Sequence, residues 1–331
     1  MASTPLDVVG IGNAIVDIIA HADEKFLERH GMAKGAMTLI DETRAEAIYQ
    51  AMGTAIEASG GSAANTIAGI ASLGGKAGFI GKVKDDGLGR VFRHDITAAG
   101  VEFPTSADPD GPATARCLIL VTSDAQRTMN TYLGACANLY PADIDETLIQ
   151  RARVTYLEGY LFDPPHAKLA FRKAARIAHA AGRKVALSLS DAFCVNRYRQ
   201  EFLELVEHDI DILFANDIEI TALFECELDQ AIGRARHLTE LAAVTRGADG
   251  SVLATPETVV AVPAAPVERV VDTTGAGDLY AAGVLHGLTQ GRDLAECGRL
   301  GGLCAAEIIS HFGARPEVSL ASFVAKSGLA A

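Results

Sequence analysis

Positive charge is scarce in this 331-residue chain: 29 Lys and Arg stand against 42 Asp and Glu, for a formal net charge of −13. A nucleic-acid surface needs clustered Lys and Arg to meet the phosphate backbone, so that class of partner is not expected. A small anionic ligand is compatible with this balance, because helix N-termini and Mg2+ supply local positive potential whatever the net charge. Tryptophan is absent and the other aromatics are few. The six cysteines, Cys117, Cys136, Cys194, Cys226, Cys297 and Cys304, form no C-x-x-C pair and no Cys/His group at zinc spacing, which argues against structural zinc. Scattered free thiols suit a reducing cytosol, and a cytoplasmic location is expected. The apolar opening at 8–20 lacks a basic flank and contains Asn13 and Asp17, so it reads as neither a signal peptide nor a membrane span. The 32 glycines are spread along the chain, and no segment has the bias of a disordered region.

Two familiar phosphate-binding loops are also missing. Gly10-Ile11-Gly12-Asn13-Ala14-Ile15 has the start of a dinucleotide fingerprint, but Ile15 stands at its third glycine position and Asp17 comes too soon for the ribose acid. Gly75-Lys76 is followed by Ala77, and the preceding glycine is Gly69, so no Walker loop is formed. An ATP-handling protein of this sequence needs another scaffold.

What is present is an alternation of short apolar runs and amphipathic stretches. Strands are expected at 6–12, 77–83, 154–157, 184–189, 211–214 and 242–245, with an apolar hairpin at 251–254 and 258–262. Helices are expected at 42–57, 62–73, 88–98, 167–181, 197–207, 217–224, 228–241, 276–289, 294–310 and 320–326. Such alternation implies an α/β fold with a mostly parallel central sheet and helices on both faces. Segments at about 14–40 and 109–133 are sheet-like but break the rhythm. They are expected to form a small β-sheet lid over the strand ends, where open α/β sheets bind ligands. No linker divides the chain, so 1–331 reads as a single domain.

The most informative stretch is Val271-Asp272-Thr273-Thr274-Gly275-Ala276-Gly277-Asp278, which runs into an apolar helix. Small residues at a helix start leave N–H groups bare, and these sum with the helix dipole into an anion site. A carboxylate beside such a cradle suits proton abstraction from a hydroxyl during phosphoryl transfer. Taken alone, it would equally serve as an acid favouring a helix N-terminus. Four other features accompany it: Asn13 and Asp17 after the first strand, Gly60-Gly61-Ser62-Ala63-Ala64-Asn65 opening a helix, Asn216-Asp217-Ile218-Glu219 after another strand, and Thr245-Arg246-Gly247-Ala248-Asp249-Gly250 in a strand-to-turn loop. Asn216-x-x-Glu219 is also a capping pattern, and the glycine pair a simple helix start.

Together, in this order and spacing, these segments resemble the ribokinase-like (PfkB) family of sugar and nucleoside kinases across essentially the whole chain. The most specific parts are G-G-S-A-A-N at 60–65, G-x-V-x-x-D-x-x-G at 81–89 and D-T-T-G-A-G-D at 272–278. Within the family the chain is most similar to adenosine kinases, through 8–18, 127–140, 187–193 and 210–219. The resemblance implies an ATP- and Mg2+-dependent kinase acting on the 5′-OH of a purine ribonucleoside; a sugar kinase of the same family, or a guanosine or inosine kinase, are the alternatives. It implies Asp278 as general base, with Gly275, Ala276 and Gly277 as the anion hole. Asn13, Asp17, Gly61, Ser62 and Asn65 would hold the ribose, and Met129, Tyr160 and Phe193 would line the base pocket. Asn216, Thr245, Gly247 and Gly250 fall to the nucleotide, and Glu219 to Mg2+ through water. A monovalent cation such as K+, which some members lack, would lie near Asp272, Thr274 and the 310–313 turn. Asp191 departs from the small apolar residue usual in adenosine kinases: it would either read a guanine edge or cap a turn. The expected partners are the acceptor and ATP, with no membrane and no nucleic acid; monomer and homodimer both remain open.

Overall fold

In the computed structural model, residues 4–124 and 126–329 are described. Numbered in chain order, the strands of the large sheet are β1 (Leu6–Ile11), β5 (Ala77–Ile80), β8 (Ala152–Glu158), β9 (Lys184–Ser188), β10 (Ile212–Asn216), β11 (Leu241–Thr245), β12 (Ser251–Ala254) and β13 (Val259–Val262). They lie in the order β13-β12-β11-β10-β9-β8-β1-β5. From β11 through β5 every pairing is parallel, while β12 and β13 add an antiparallel end. The parallel strands read as continuous apolar runs because helices cover both of their faces.

The helices are α1 (Glu24–Arg29), α2 (Glu42–Ala51), α3 (Ser62–Ser72), α4 (Gly87–Ala98), α5 (Glu146–Arg151), α6 (Pro165–Ala180), α7 (Ala192–His208), α8 (Asp217–Phe224), α9 (Leu228–Leu238), α10 (Ala276–Thr289), α11 (Leu294–Ile308) and α12 (Leu320–Lys326). One apolar core lies between the sheet and α3, α4, α10 and α11, joining Ile67, Phe79, Phe92 and Leu300. The other lies under α5–α9, around Phe171, Phe202, Leu213 and Leu223. The α10–α11 contact is close enough that a side chain at Gly283 would strike the Gly301 backbone.

A second sheet has the order β3-β7-β6-β2-β4, built from β2 (Ile15–His21), β3 (Met37–Leu39), β4 (Ala55–Gly60), β6 (Ala115–Val121) and β7 (Arg127–Tyr132). Alternation along β2 and β6 divides its faces. Val16, Ile18 and Leu118 join the core with Ala45 and Ile48 of α2, whereas Ile15, Cys117 and Ile119 turn the other way, beside Met129.

Several boundaries differ from the sequence-based expectation. The helix expected at 42–57 ends at Ala51, where Met52 takes an extended conformation; residues 55–60 form β4. Ala and Glu favour helix locally, but six-residue pairing with β2 overrides that propensity. The helix expected from Arg197 begins at Ala192 and carries a kink at Tyr198, which hides its first turn from a periodicity argument. The helix expected to run to Leu241 stops at Leu238, and Leu241 opens β11.

Candidate active site

A cavity of about 950 Å³ lies between the two sheets. Its floor is the row of C-terminal strand ends: Asn13 after β1, Glu158 of β8, Ser188 of β9, Asn216 of β10 and Thr245 of β11 all line it. This is the crevice in which open α/β sheets place ligands. The apolar face of the second sheet contributes Ile15, Cys117, Ile119, Met129 and Leu133 to the wall above.

Asp278, in the first turn of α10, sits at the centre of a polar cluster. Ser62 Oγ donates to its Oδ1 at 2.6 Å, and Asn65 Nδ2 donates to Oδ2 at 3.0 Å. Both donors lie on the first turn of α3, which brings residues 62–65 against 278. Burial raises the Asp278 carboxyl above the ordinary range, opposed by those two hydrogen bonds and by the Arg315 guanidinium. Asn65 Oδ1 is buried with no partner among the described residues, an acceptor left open beside the carboxylate. A buried acceptor without a donor costs about 1–3 kcal/mol, so a hydroxyl brought there would be welcome.

Gly275, with φ +80°, caps α10 and turns the chain into it. Ala314 packs against it: a Cβ on Gly275 would lie 3.1 Å from the Ala314 Cα. The Ala276 N–H folds back onto Thr273 O at 3.2 Å. Among the described residues the N–H groups of Gly275 and Gly277 meet no protein acceptor. Two bare N–H groups thus flank Ala276 at the start of α10, and the Ala276 N–H is the engaged one.

Asn13 and Asp17 both line the cavity. Burial lifts Asp17 to about 7, against the pull of Arg315 and Arg127 and with a push from Asp278. A Cβ at Gly60 would run into Asp17 Oδ2, so a side chain there would displace the Asp17 carboxylate. Gly61, at φ +94°, passes so close to the Asn13 carbonyl that a Cβ would collide with it.

Glu158 is a residue that the motif search missed. It is 1 % exposed and accepts from Asn13 Nδ2 at 2.6 Å, Ala63 N at 2.8 Å and Asn13 N at 3.3 Å. Burial raises it to about 7, opposed by those bonds. It ties the end of β1 to the start of α3. The signal was available: an acid at the C-terminal end of a buried parallel strand, in Tyr156-Leu157-Glu158-Gly159.

Along the floor, Asn216 and Glu219 form a reciprocal capping box, with Glu219 Oε2 accepting from Asn216 N at 3.0 Å and Oε1 from Asn216 Nδ2 at 2.8 Å. Burial lifts Glu219 to about 7. Both residues line the cavity, as do Thr245 and Gly247. Gly250 does not. It sits in the β11–β12 turn at φ +81°, where a side chain would strike the Val262 carbonyl, so it shapes the hairpin rather than the site. No group of three or more His, Cys, Asp or Glu forms a metal cluster among the described residues. A divalent ion that keeps its waters and rides on nucleotide phosphates fits this donor set; a closed protein cage does not.

Asp272 lies behind the turn. Its Oδ1 accepts from Thr274 N at 3.0 Å and Thr274 Oγ at 2.8 Å; its Oδ2 accepts from Gly313 N at 3.0 Å and pairs with Arg127 Nη2 at 2.6 Å. Arg127 Nη1 also donates to Thr274 Oγ at 3.2 Å. The side-chain oxygens of Asp272 and Thr274 are thus engaged by N–H and O–H donors and by a guanidinium.

Tyr160, Phe193 and Met129 line the cavity together with Met37 and Leu39 of β3. Phe193 is exposed at 64 % and carries the Arg197 guanidinium 4.6 Å from its ring centroid. Asp191 is the N-cap of α7, its Oδ1 accepting from Phe193 N at 2.6 Å, and it is not part of the lining. Of its two readings, the turn cap is the one the geometry bears out.

The comparisons with known proteins agree with this architecture. Residues 36–320 match the pfkB family of carbohydrate kinases, and the chain belongs to that family of ATP-dependent kinases. A solved structure of adenosine kinase from Sinorhizobium meliloti is 55 % identical and superposes with a TM-score of 0.92, covering 98 % of this chain and all of that one. A probable sugar kinase from Rhizobium etli CFN 42 is 48 % identical with a TM-score of 0.93, over 98 % of this chain and 99 % of the other. An ATP-dependent ribose-1-phosphate kinase from Halopiger xanaduensis is 31 % identical over 78 % of this chain and 83 % of its own. Among the described residues no helix is long and apolar enough to cross a membrane.

Proposed function

We propose that this kinase transfers the γ-phosphoryl group of ATP to the 5′-hydroxyl of a purine ribonucleoside, with adenosine the preferred acceptor. The observation that carries the reading is the pairing of a polar corner with an apolar pocket in one cavity. Asn13, Asp17 and the open Asn65 Oδ1 suit a ribose. Met37, Leu39, Met129, Tyr160 and Phe193 suit a flat base, which a free sugar lacks. The similarity to the Sinorhizobium meliloti adenosine kinase supports the same acceptor.

Phosphoryl transfer asks the protein for alignment, charge neutralisation and a base. Asp278 takes the hydroxyl proton while Ser62 and Asn65 fix its two oxygens. The Gly275 and Gly277 amides meet the charge that develops on the phosphoryl oxygens. Asn216, Thr245 and Gly247 flank the ATP end of the floor. Mg2+ bound to ATP would neutralise phosphate charge, and Glu219 would order its waters. Residues 14–40 and 109–133, joined by β4, act as a lid that excludes water and so limits ATP hydrolysis. The whole of 1–331 works as one kinase domain.

A coupled ADP-release assay over adenosine, inosine, guanosine, ribose, fructose and ribose 1-phosphate tests the reading. The expected result is the highest kcat/KM for adenosine. A sugar or sugar phosphate turned over more efficiently than every nucleoside would overturn it.

A further inference from the structure

Arg315 belongs to no motif of the sequence and does not line the main cavity, yet it is built into the back of the acceptor site. It follows Ala314, the residue packed against Gly275. Its Nε donates to Ser59 O at 3.2 Å and its Nη1 to Ala64 O at 2.8 Å. Those carbonyls bracket the Gly60–Ala64 corner, which carries Ser62 and leads to Asn65, the two donors to Asp278. Its Nη2 is buried without a hydrogen-bond partner among the described residues.

This is an expensive position for a cation. It stands at the N-terminus of α3, where the helix dipole is already positive, and it is largely withdrawn from water. The arrangement is sensible only if negative charge faces it. On the acceptor side are Asp17 of β2 and Asp278 of α10. On the other side Asp95 of α4 lines a smaller cavity with Arg315 and accepts from Ser59 N at 3.2 Å. The remaining titratable groups around Asp278 are Tyr156 and Glu158 of β8, Tyr160 just beyond it, and Glu219 of α8, none of which brings positive charge. Arg127 of β7 acts on Asp17 and pairs with Asp272.

We propose that Arg315 is a positioning residue for phosphoryl transfer: a fixed counter-charge to Asp278 and Asp17 that holds the α3 corner against the Gly275 turn. The proposal rests on Asp278 being the base. Because a nearby positive charge favours the ionised form of a carboxyl, removing it should show in the pH dependence before it shows elsewhere.

The test is the pH profile of kcat/KM for adenosine in wild type, Arg315→Gln and Arg315→Lys, with melting temperatures measured alongside. The Gln variant should lose activity at neutral pH and shift its acid limb upward by about one unit, recovering in alkaline buffer. The Lys variant, which keeps the charge, should retain an acid limb close to that of wild type. An unchanged limb in Arg315→Gln, whatever its loss of rate or stability, would overturn the proposal and leave Arg315 a structural staple. If the Gln variant does not fold, Arg315→Met, neutral and similar in length, is measured in its place: an upward shift of its acid limb supports the counter-charge, and an unchanged limb ends it. Asp278→Asn separates the two levels of argument, since its retention of activity would sink the assignment of the base itself.

Discussion

Asp278 already spends both oxygens on Ser62 and Asn65, so a hydroxyl arriving at the carboxylate meets a base that is oriented in advance. Replacing it with Asn keeps the volume but removes the proton acceptor. The expected loss is ~10²–10⁴-fold in kcat with ATP affinity unchanged, and retention of more than about a tenth of the activity would rule out this role. On the proposed reading Asp17 acts on the acceptor alone. Asp17→Ala should weaken nucleoside binding by roughly 1.5–3 kcal/mol in calorimetry while leaving ATP binding in place. An equal loss for both ligands would mark it as a support of the fold. Asp191 sets a different expectation. As the cap of α7 it should cost about 0.5–2 kcal/mol of stability when changed to Ala, while the ratio of adenosine to guanosine kcat/KM stays constant. A shift of that ratio toward adenosine would return Asp191 to the base pocket.

Among the elements, the α10 turn and β7 work as a pair. Arg127 reaches from β7 to Asp272 and Thr274, placing a side-chain cation behind the anion-binding turn. Turnover should therefore be the same in K+ and in a bulky organic cation at equal ionic strength. Several-fold activation by K+ would show that the turn rearranges to admit the ion. This pairing was not legible beforehand, because the contact joins residues 145 positions apart (272 − 127) and neither segment advertises its partner. The same limit explains β4, whose Ala-Ile-Glu-Ala core favours helix until β2 supplies hydrogen bonds. What could be read locally was read well. The small-residue start of α3, the strand-to-helix step at Asn216 and the D-T-T-G-A-G-D turn each carry their geometry within a few residues. Gly250 misled because a glycine serving φ > 0 in a hairpin looks, in sequence, like one making room for a ligand. Glu158 was passed over because its meaning depends on being the last residue of a buried strand.

Across the whole molecule, the cavity concentrates carboxyls that burial pushes upward: Asp17, Glu158 and Glu219 to about 7, and Asp278 in the same direction. In the unfolded chain such groups ionise near 4, so between there and about 7 the folded state binds more protons. Stability of the ligand-free protein should then fall as pH rises through that window, while activity, which needs ionised Asp278, should rise. His286, depressed by burial, pulls the other way but is one group against four. Calorimetric melting and kcat/KM recorded in the same buffers from about pH 5.5 to 8 should diverge; a melting temperature that climbs with pH would contradict this. The order in which the site is gathered along the chain has a further effect. Asn13 comes from the end of β1, whereas Ala314 and Arg315 follow α11, after every strand of both sheets. A polypeptide still on the ribosome can form most of the strand ladder, yet it has neither the prop behind Gly275 nor the clasp on Ser59 and Ala64. A nascent chain therefore gains both only once synthesis has passed Arg315.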